Sequence, residues 1–200
     1  SPLKKVSRSR FFQESWQSFL KAIDECFGES LDKAAQNLES WFPSLLFPPG
    51  AGTEETFFRL CNRCGACAKA CPFFAIHHVV RPGTFADGVP SIDPSSAFCR
   101  FCEGFPCITA CHTGALSLPP DGKKIEIGLA EVAADLCLRP RGVSCEACFK
   151  SCPERFRAIG IPSEPAAVPT VLPRACAGCG ACVAACPVSP KTAIIVSRRL

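Results

Sequence analysis

Apolar positions recur at helical spacing only near the start of the chain. In SWQSFLKAIDECFGESLDKAAQNLESWF, residues Phe19, Leu20, Ile23, Phe27, Leu31, Ala34, Leu38, Trp41 and Phe42 share such a spacing, predicting one or two amphipathic helices divided near Gly28. PSLLFPPGAGT then reads as a linker, since its prolines cannot continue a helix and its glycines favour turns. These stretches make residues 1–56 a helical extension. From residue 57 to 200 the pattern changes to short β-type runs, AIHHVV, GVPSID, KKIEIGL and AIIVS, too brief to bury a core alone. No run reaches the roughly 18 to 20 apolar residues of a membrane helix.

What lies between those runs is cysteine. Sixteen of the seventeen cysteines fall in four groups of four, separated by 27, 25 and 23 residues. The groups are Cys61, Cys64, Cys67, Cys71; Cys99, Cys102, Cys107, Cys111; Cys137, Cys145, Cys148, Cys152; and Cys176, Cys179, Cys182, Cys186. A disulfide scaffold scatters its cysteines, whereas a metalloprotein groups them. Only Cys26 stands apart, beside Phe27 on the apolar helical pattern, where it reads as a small buried thiol.

The first and last groups, CNRCGACAKACP and CAGCGACVAACP, are the iron–sulfur run C-x2-C-x2-C-x3-C-P. Three thiolates wrap one corner of a cubane, and the fourth points to a second cluster. Gly65 and Gly180 let the backbone pass close to sulfur, and Pro72 and Pro187 turn the chain away. The second group widens its middle gap to four residues and has His112 in place of the proline; the third widens its first gap to seven. Neither has lost a ligand, so both read as intact sites in differently shaped loops, with His112 a surface turn residue. Structural zinc prefers paired C-x2-C units, often with histidine, and His77, His78 and His112 are too few and misplaced for it. Four [4Fe–4S] clusters are therefore expected.

Cluster binding also changes the charge. Each cubane with its four thiolates carries about −2, so four of them turn the formal +4 into about −4. That argues against nucleic acid as a partner and leaves Lys4, Lys5, Arg8, Arg10, Arg198 and Arg199 as solvated termini or a docking surface. With no nucleotide-binding glycine motif, no nucleophile elbow, no tyrosine and three histidines, acid–base catalysis is poorly provided for. The chain reads as an electron-transfer protein, not an enzyme.

Together, a regular first group, FPC before ACHTGAL, the C-x7-C-x2-C-x3-CP group and a final CAGCGAC resemble the ferredoxin-type NapG/MauM family over about residues 57–197. The widened second group is also similar to that of the four-cluster subunits of membrane molybdoenzymes. The resemblance implies an α+β fold of two nested bacterial-ferredoxin-like modules, groups one and four forming one around an inserted module of groups two and three. It further implies the ligand sets Cys61/Cys64/Cys67/Cys186, Cys176/Cys179/Cys182/Cys71, Cys99/Cys102/Cys107/Cys152 and Cys137/Cys145/Cys148/Cys111. The implied partner is a redox protein or enzyme complex, such as a molybdoenzyme or a membrane quinol-oxidising subunit. An alternative role is maturation or assembly of such an enzyme. The nitrate-reductase-associated members resembled here usually carry a twin-arginine export signal; in KKVSRSRFF the arginines are separated and no apolar core follows. A cytoplasmic place is expected, peripheral to the membrane through a partner, with a processed periplasmic form the alternative.

Overall fold

Thr53 starts the first helix: its hydroxyl accepts a hydrogen bond from the Thr56 amide at 3.3 Å. Glu54 and Glu55 in the first turn and Arg59 in the last suit the helix dipole of Glu54–Leu60. The computed structural model describes residues 45–119 and 124–198, within the second of two compact units, Ser44–Leu200. The helices expected before residue 44, and Cys26, lie outside the described residues.

In the first half of the described chain, β1 (Ile76–His78) pairs antiparallel with β2 (Pro90–Ile92). Leu46 bridges to Ile92 and Ala51 to Leu116, so residues 46–51 strap this half together. Short helices Ala66–Ala70 and Pro106–Thr109, carrying cysteines of the first and second groups, pack on each other. The second half repeats the plan. There β3 (Leu129–Val132) pairs with β6 (Ile194–Ser197), β4 (Ile159–Gly160) pairs with β5 (Thr170–Val171), and helices Ala147–Ser151 and Ala181–Ala184 pack together. Most of KKIEIGL stays outside β3, although the Ile127 amide bonds the Ala177 carbonyl at 2.9 Å.

Two expectations are corrected here. The helices of the cysteine groups pack one with two and three with four, not in the nested order. The hairpins explain it: each antiparallel turn between neighbouring groups sends the chain back on itself, so a group meets its immediate successor. The stretch PSLLFPPGAGT is also no free linker from residue 45 onward. Leu46, Phe47, Pro48 and Pro49 are buried, and Phe47 stacks on the fully buried Phe57 with ring centroids 4.3 Å apart. Prolines stop a helix, but they bury as well as any apolar residue, and the bridges at Leu46 and Ala51 fix them. Arg198, expected in a solvated terminus or a docking surface, lies 4.3 Å over the Phe47 ring and donates to the Gly52 carbonyl at 3.0 Å.

Candidate metal centres

Three recesses in this fold are each lined by four cysteines. One holds Cys71, Cys99, Cys102 and Cys107, walled by Pro49, Phe73, Ile76 and Phe105. A second holds Cys152, Cys176, Cys179 and Cys182 under Phe156, Ala158 and Ile159. The third holds Cys137, Cys145, Cys148 and Cys186 between Val132, Leu138 and Ile194. In each, three cysteines come from one group and the fourth ends the neighbouring group.

The loop of the first group lies beside the end of the second. Burial pushes the Cys61 thiol up, and the adjacent Cys111 adds to the effect. Burial likewise raises Cys67 to about 11, with Cys61, Cys107 and Cys111 contributing. Asn62 and His112 lie 3.4 Å apart, tying the loop of Cys61 and Cys64 to the turn after Cys111. So His112 makes a contact at the cluster loop as well as standing in a turn. The structure thus brings Cys111 to Cys61 and Cys67, whereas the nested pairing placed Cys186 there.

Local sequence explains how the sulfurs are aimed. Gly65 and Gly180, at φ of 73° and 85°, begin the helices that carry Cys67 and Cys182. Backbone amides then turn onto sulfur. Ala75 donates to Cys71 at 3.4 Å, Leu116 to Cys111 at 3.3 Å and Ala158 to Cys152 at 3.3 Å, each from the chain just after a group's last cysteine. Phe101 and Gly178 do the same within the loops, to Cys99 and Cys176 at 3.4 Å. Such bonds stabilise negative sulfur and tune a cluster's potential.

Electrostatics favour metal. Burial pushes Cys107 up to about 11, and Cys99 and Cys182 up to about 12. Cys111 moves the other way: burial raises it, but the Thr113 hydroxyl and the Leu116 amide outweigh that. Buried thiols around one space repel each other as thiolates unless positive charge sits among them, and a coordinating metal supplies it. Among the described residues, no three Cys, His, Asp or Glu side chains converge on a point fit for one metal ion. Tetrahedral zinc needs sulfurs at about 2.3 Å from one centre. Four cysteine thiolates are the usual donor set of a [4Fe–4S] cubane, and each recess is lined by four cysteines.

Comparison with known proteins agrees. The 4Fe-4S dicluster domain family matches residues 141–189, and the 4Fe-4S binding domain family matches residues 57–77. Methylamine utilization ferredoxin-type protein MauM of Methylobacillus flagellatus is 36% identical over 168 residues, covering 78% of this chain and 70% of that protein. Its counterpart in Methylophilus methylotrophus is 37% identical over 164 residues, 78% of this chain and 73% of the relative. The chain belongs to the MauM/NapG family of ferredoxin-type proteins. Ferredoxin-type protein NapG of Escherichia coli is 33% identical over 151 residues, covering 70% of this chain and 65% of its own. No solved structure matches. This member of the MauM/NapG family is therefore an iron–sulfur protein with 4Fe-4S binding domains. Among its described residues no helix is long and apolar enough to cross a membrane.

Sequence reasoning missed several supporting residues. Thr113 beside Cys111 carried a signal, a hydroxyl two positions after a ligand. Gly178 carried another, inside CAGC. Arg155, Phe101 and Phe156, which join the two halves, carried none, because nothing local marks a long-range contact.

Proposed function

We propose that the chain holds four [4Fe–4S] clusters and relays single electrons between a donor and a redox-enzyme partner. The ligand sets are Cys61/Cys64/Cys67/Cys111, Cys71/Cys99/Cys102/Cys107, Cys152/Cys176/Cys179/Cys182 and Cys137/Cys145/Cys148/Cys186. The cysteine-lined recesses and the contacts of Cys111 support these sets over the nested ones. A bound cubane supplies one-electron chemistry, with no proton or group transfer required of the protein.

The observation that carries the reading is the succession of sets. Cys67 of the first lies near enough to Cys107 of the second to act on its charge. Cys99 of the second stands likewise to Cys179 of the third, and Cys182 of the third to Cys148 of the fourth. These neighbours, together with the Cys99 amide donating to the Cys179 carbonyl and the packing of the cysteine-bearing helices, support a row in which each set adjoins the next. Cys64, in the first set, is exposed and gives the row an end open to solvent. The family names, methylamine utilization among them, support a partner among redox enzymes.

The test is chemical. Native protein purified anaerobically should contain about 16 irons and 16 acid-labile sulfides per chain. A count near eight would remove two of the four sites and the row with them. Co-purification under the same conditions should recover a redox enzyme.

A further inference from the structure

Each half of the fold closes on itself, the first through its strap and hairpin, the second through β3–β6 and β4–β5. Where the halves meet, Arg198 reaches across at the strap and Arg155 reaches across beside the cysteine loops. Arg155 stands three residues after Cys152, and its guanidinium donates to the Phe101 carbonyl at 3.1 Å and the Arg100 carbonyl at 2.5 Å. It also lies 5.3 Å from the Phe156 ring, which meets Phe101 edge-on at 5.2 Å.

The grasped dipeptide is well placed. Arg100 and Phe101 are the two residues between ligands Cys99 and Cys102. Within it, the Phe101 amide donates to the Cys99 sulfur. The Cys99 amide in turn donates across the seam to the Cys179 carbonyl at 3.0 Å. A side chain rooted beside one inner ligand set thus grips the loop of the other, on the segment that bonds back across. The bond to the Arg100 carbonyl is exposed and the bond to the Phe101 carbonyl is partly buried, so water can take over at least the first when the guanidinium is removed. A forked guanidinium holding two successive carbonyls fixes position in a way an ammonium cannot.

We infer that Arg155 is a positioning residue that holds the two inner ligand sets in electron-exchange contact across the seam. The inference rests on the four-cluster reading. It assigns the Cys99–Cys179 hydrogen bond as the bridge and Arg155 as its lock.

The test uses holoprotein purified anaerobically, with Arg155→Ala and Arg155→Lys compared against the parent. Three things are measured: iron content, hydrogen exchange of the peptide carrying the Cys99 amide, and the electron paramagnetic resonance of the fully reduced protein. In Arg155→Ala iron should stay at the parental level. Exchange at Cys99 should quicken about tenfold with the charged hydrogen bonds gone. The splitting from magnetic interaction between neighbouring reduced centres should weaken, with the Lys variant in between.

Full iron with unchanged exchange and unchanged spectrum overturns the inference. Should Ala lose iron, Lys decides by the same two readouts. If both lose iron, Arg155 supports a whole half of the fold and the inference falls. A parental count near eight irons fails the four-cluster reading instead, and the exchange rate at Cys99 still tells whether Arg155 locks the seam.

Discussion

Gly178 lies flat against the backbone of Gly128, so close that a Cβ on Gly178 would collide with the Gly128 nitrogen. Its φ is +71°, and its own amide donates to Cys176. The strand-side backbone before β3 therefore presses directly on a ligand loop. Gly178→Ala should cost stability and the iron of the Cys152/Cys176/Cys179/Cys182 set. Gly83 and Gly142 are the controls, because both have positive φ and a Cβ on either would meet nothing within 4 Å. Alanine there should cost only the left-handed penalty of about 1–2 kcal/mol. Anaerobic thermal unfolding compares the three; equal losses would mean that the contact with Gly128 does not matter.

Ligand pairing can be read from double substitutions. Cys64→Ser and Cys111→Ser should each disturb one site, and the two together should lose no more than about four irons. Cys64→Ser with Cys186→Ser should disturb two sites and lose about twice as much iron. The reverse result, with Cys64 and Cys186 acting as one, would restore the nested arrangement.

The contrast between ligands and pairing shows what a sequence can display. Eight of the sixteen candidate ligands stand out in the sequence by the local spacing C-x2-C-x2-C-x3-C, and the other eight by falling in two widened groups of four. Which group supplies the fourth sulfur is decided by hairpins such as Ile76–His78 against Pro90–Ile92, whose register involves residues far apart in sequence. The strap was misread for a related reason. Proline and glycine in LFPPGAG signal the end of a helix, and nothing local tells that Pro48 and Pro49 will be fully buried. The pair Ile159–Gly160 and Thr170–Val171 is too short to give any periodic signal.

Acid should release the clusters. Burial sets the thiols of Cys99 and Cys182 at about 12, and those of Cys67 and Cys107 at about 11. Without iron these groups carry protons at neutral pH, so binding a cluster displaces protons and binding strengthens as pH rises. In a fixed concentration of chelator, iron retention should therefore fall as pH is lowered from about 8 to about 6. Absorbance of the cluster chromophore follows it; retention that is flat or improves in acid would contradict proton displacement.

The strap sets where a functional chain can begin. Removing residues 1–44 leaves Leu46 bridged to Ile92, Ala51 bridged to Leu116, and Phe47 stacked on Phe57. Removing residues 1–56, the extension that the sequence pattern suggested, deletes all three contacts and strips Pro49 from the wall of the Cys71/Cys99/Cys102/Cys107 recess. The chain of residues 45–200 should hold as much iron as the full chain, while 57–200 should lose the iron of that recess. Phe47→Ala in the full chain should show the same weakness in milder form, costing about 3–5 kcal/mol as a buried aromatic lost from a packed core. Iron content and anaerobic unfolding separate the cases. Full iron in the 57–200 chain would show that the recess stands without its strap, and that the burial of Leu46 to Pro49 follows from the fold instead of supporting it.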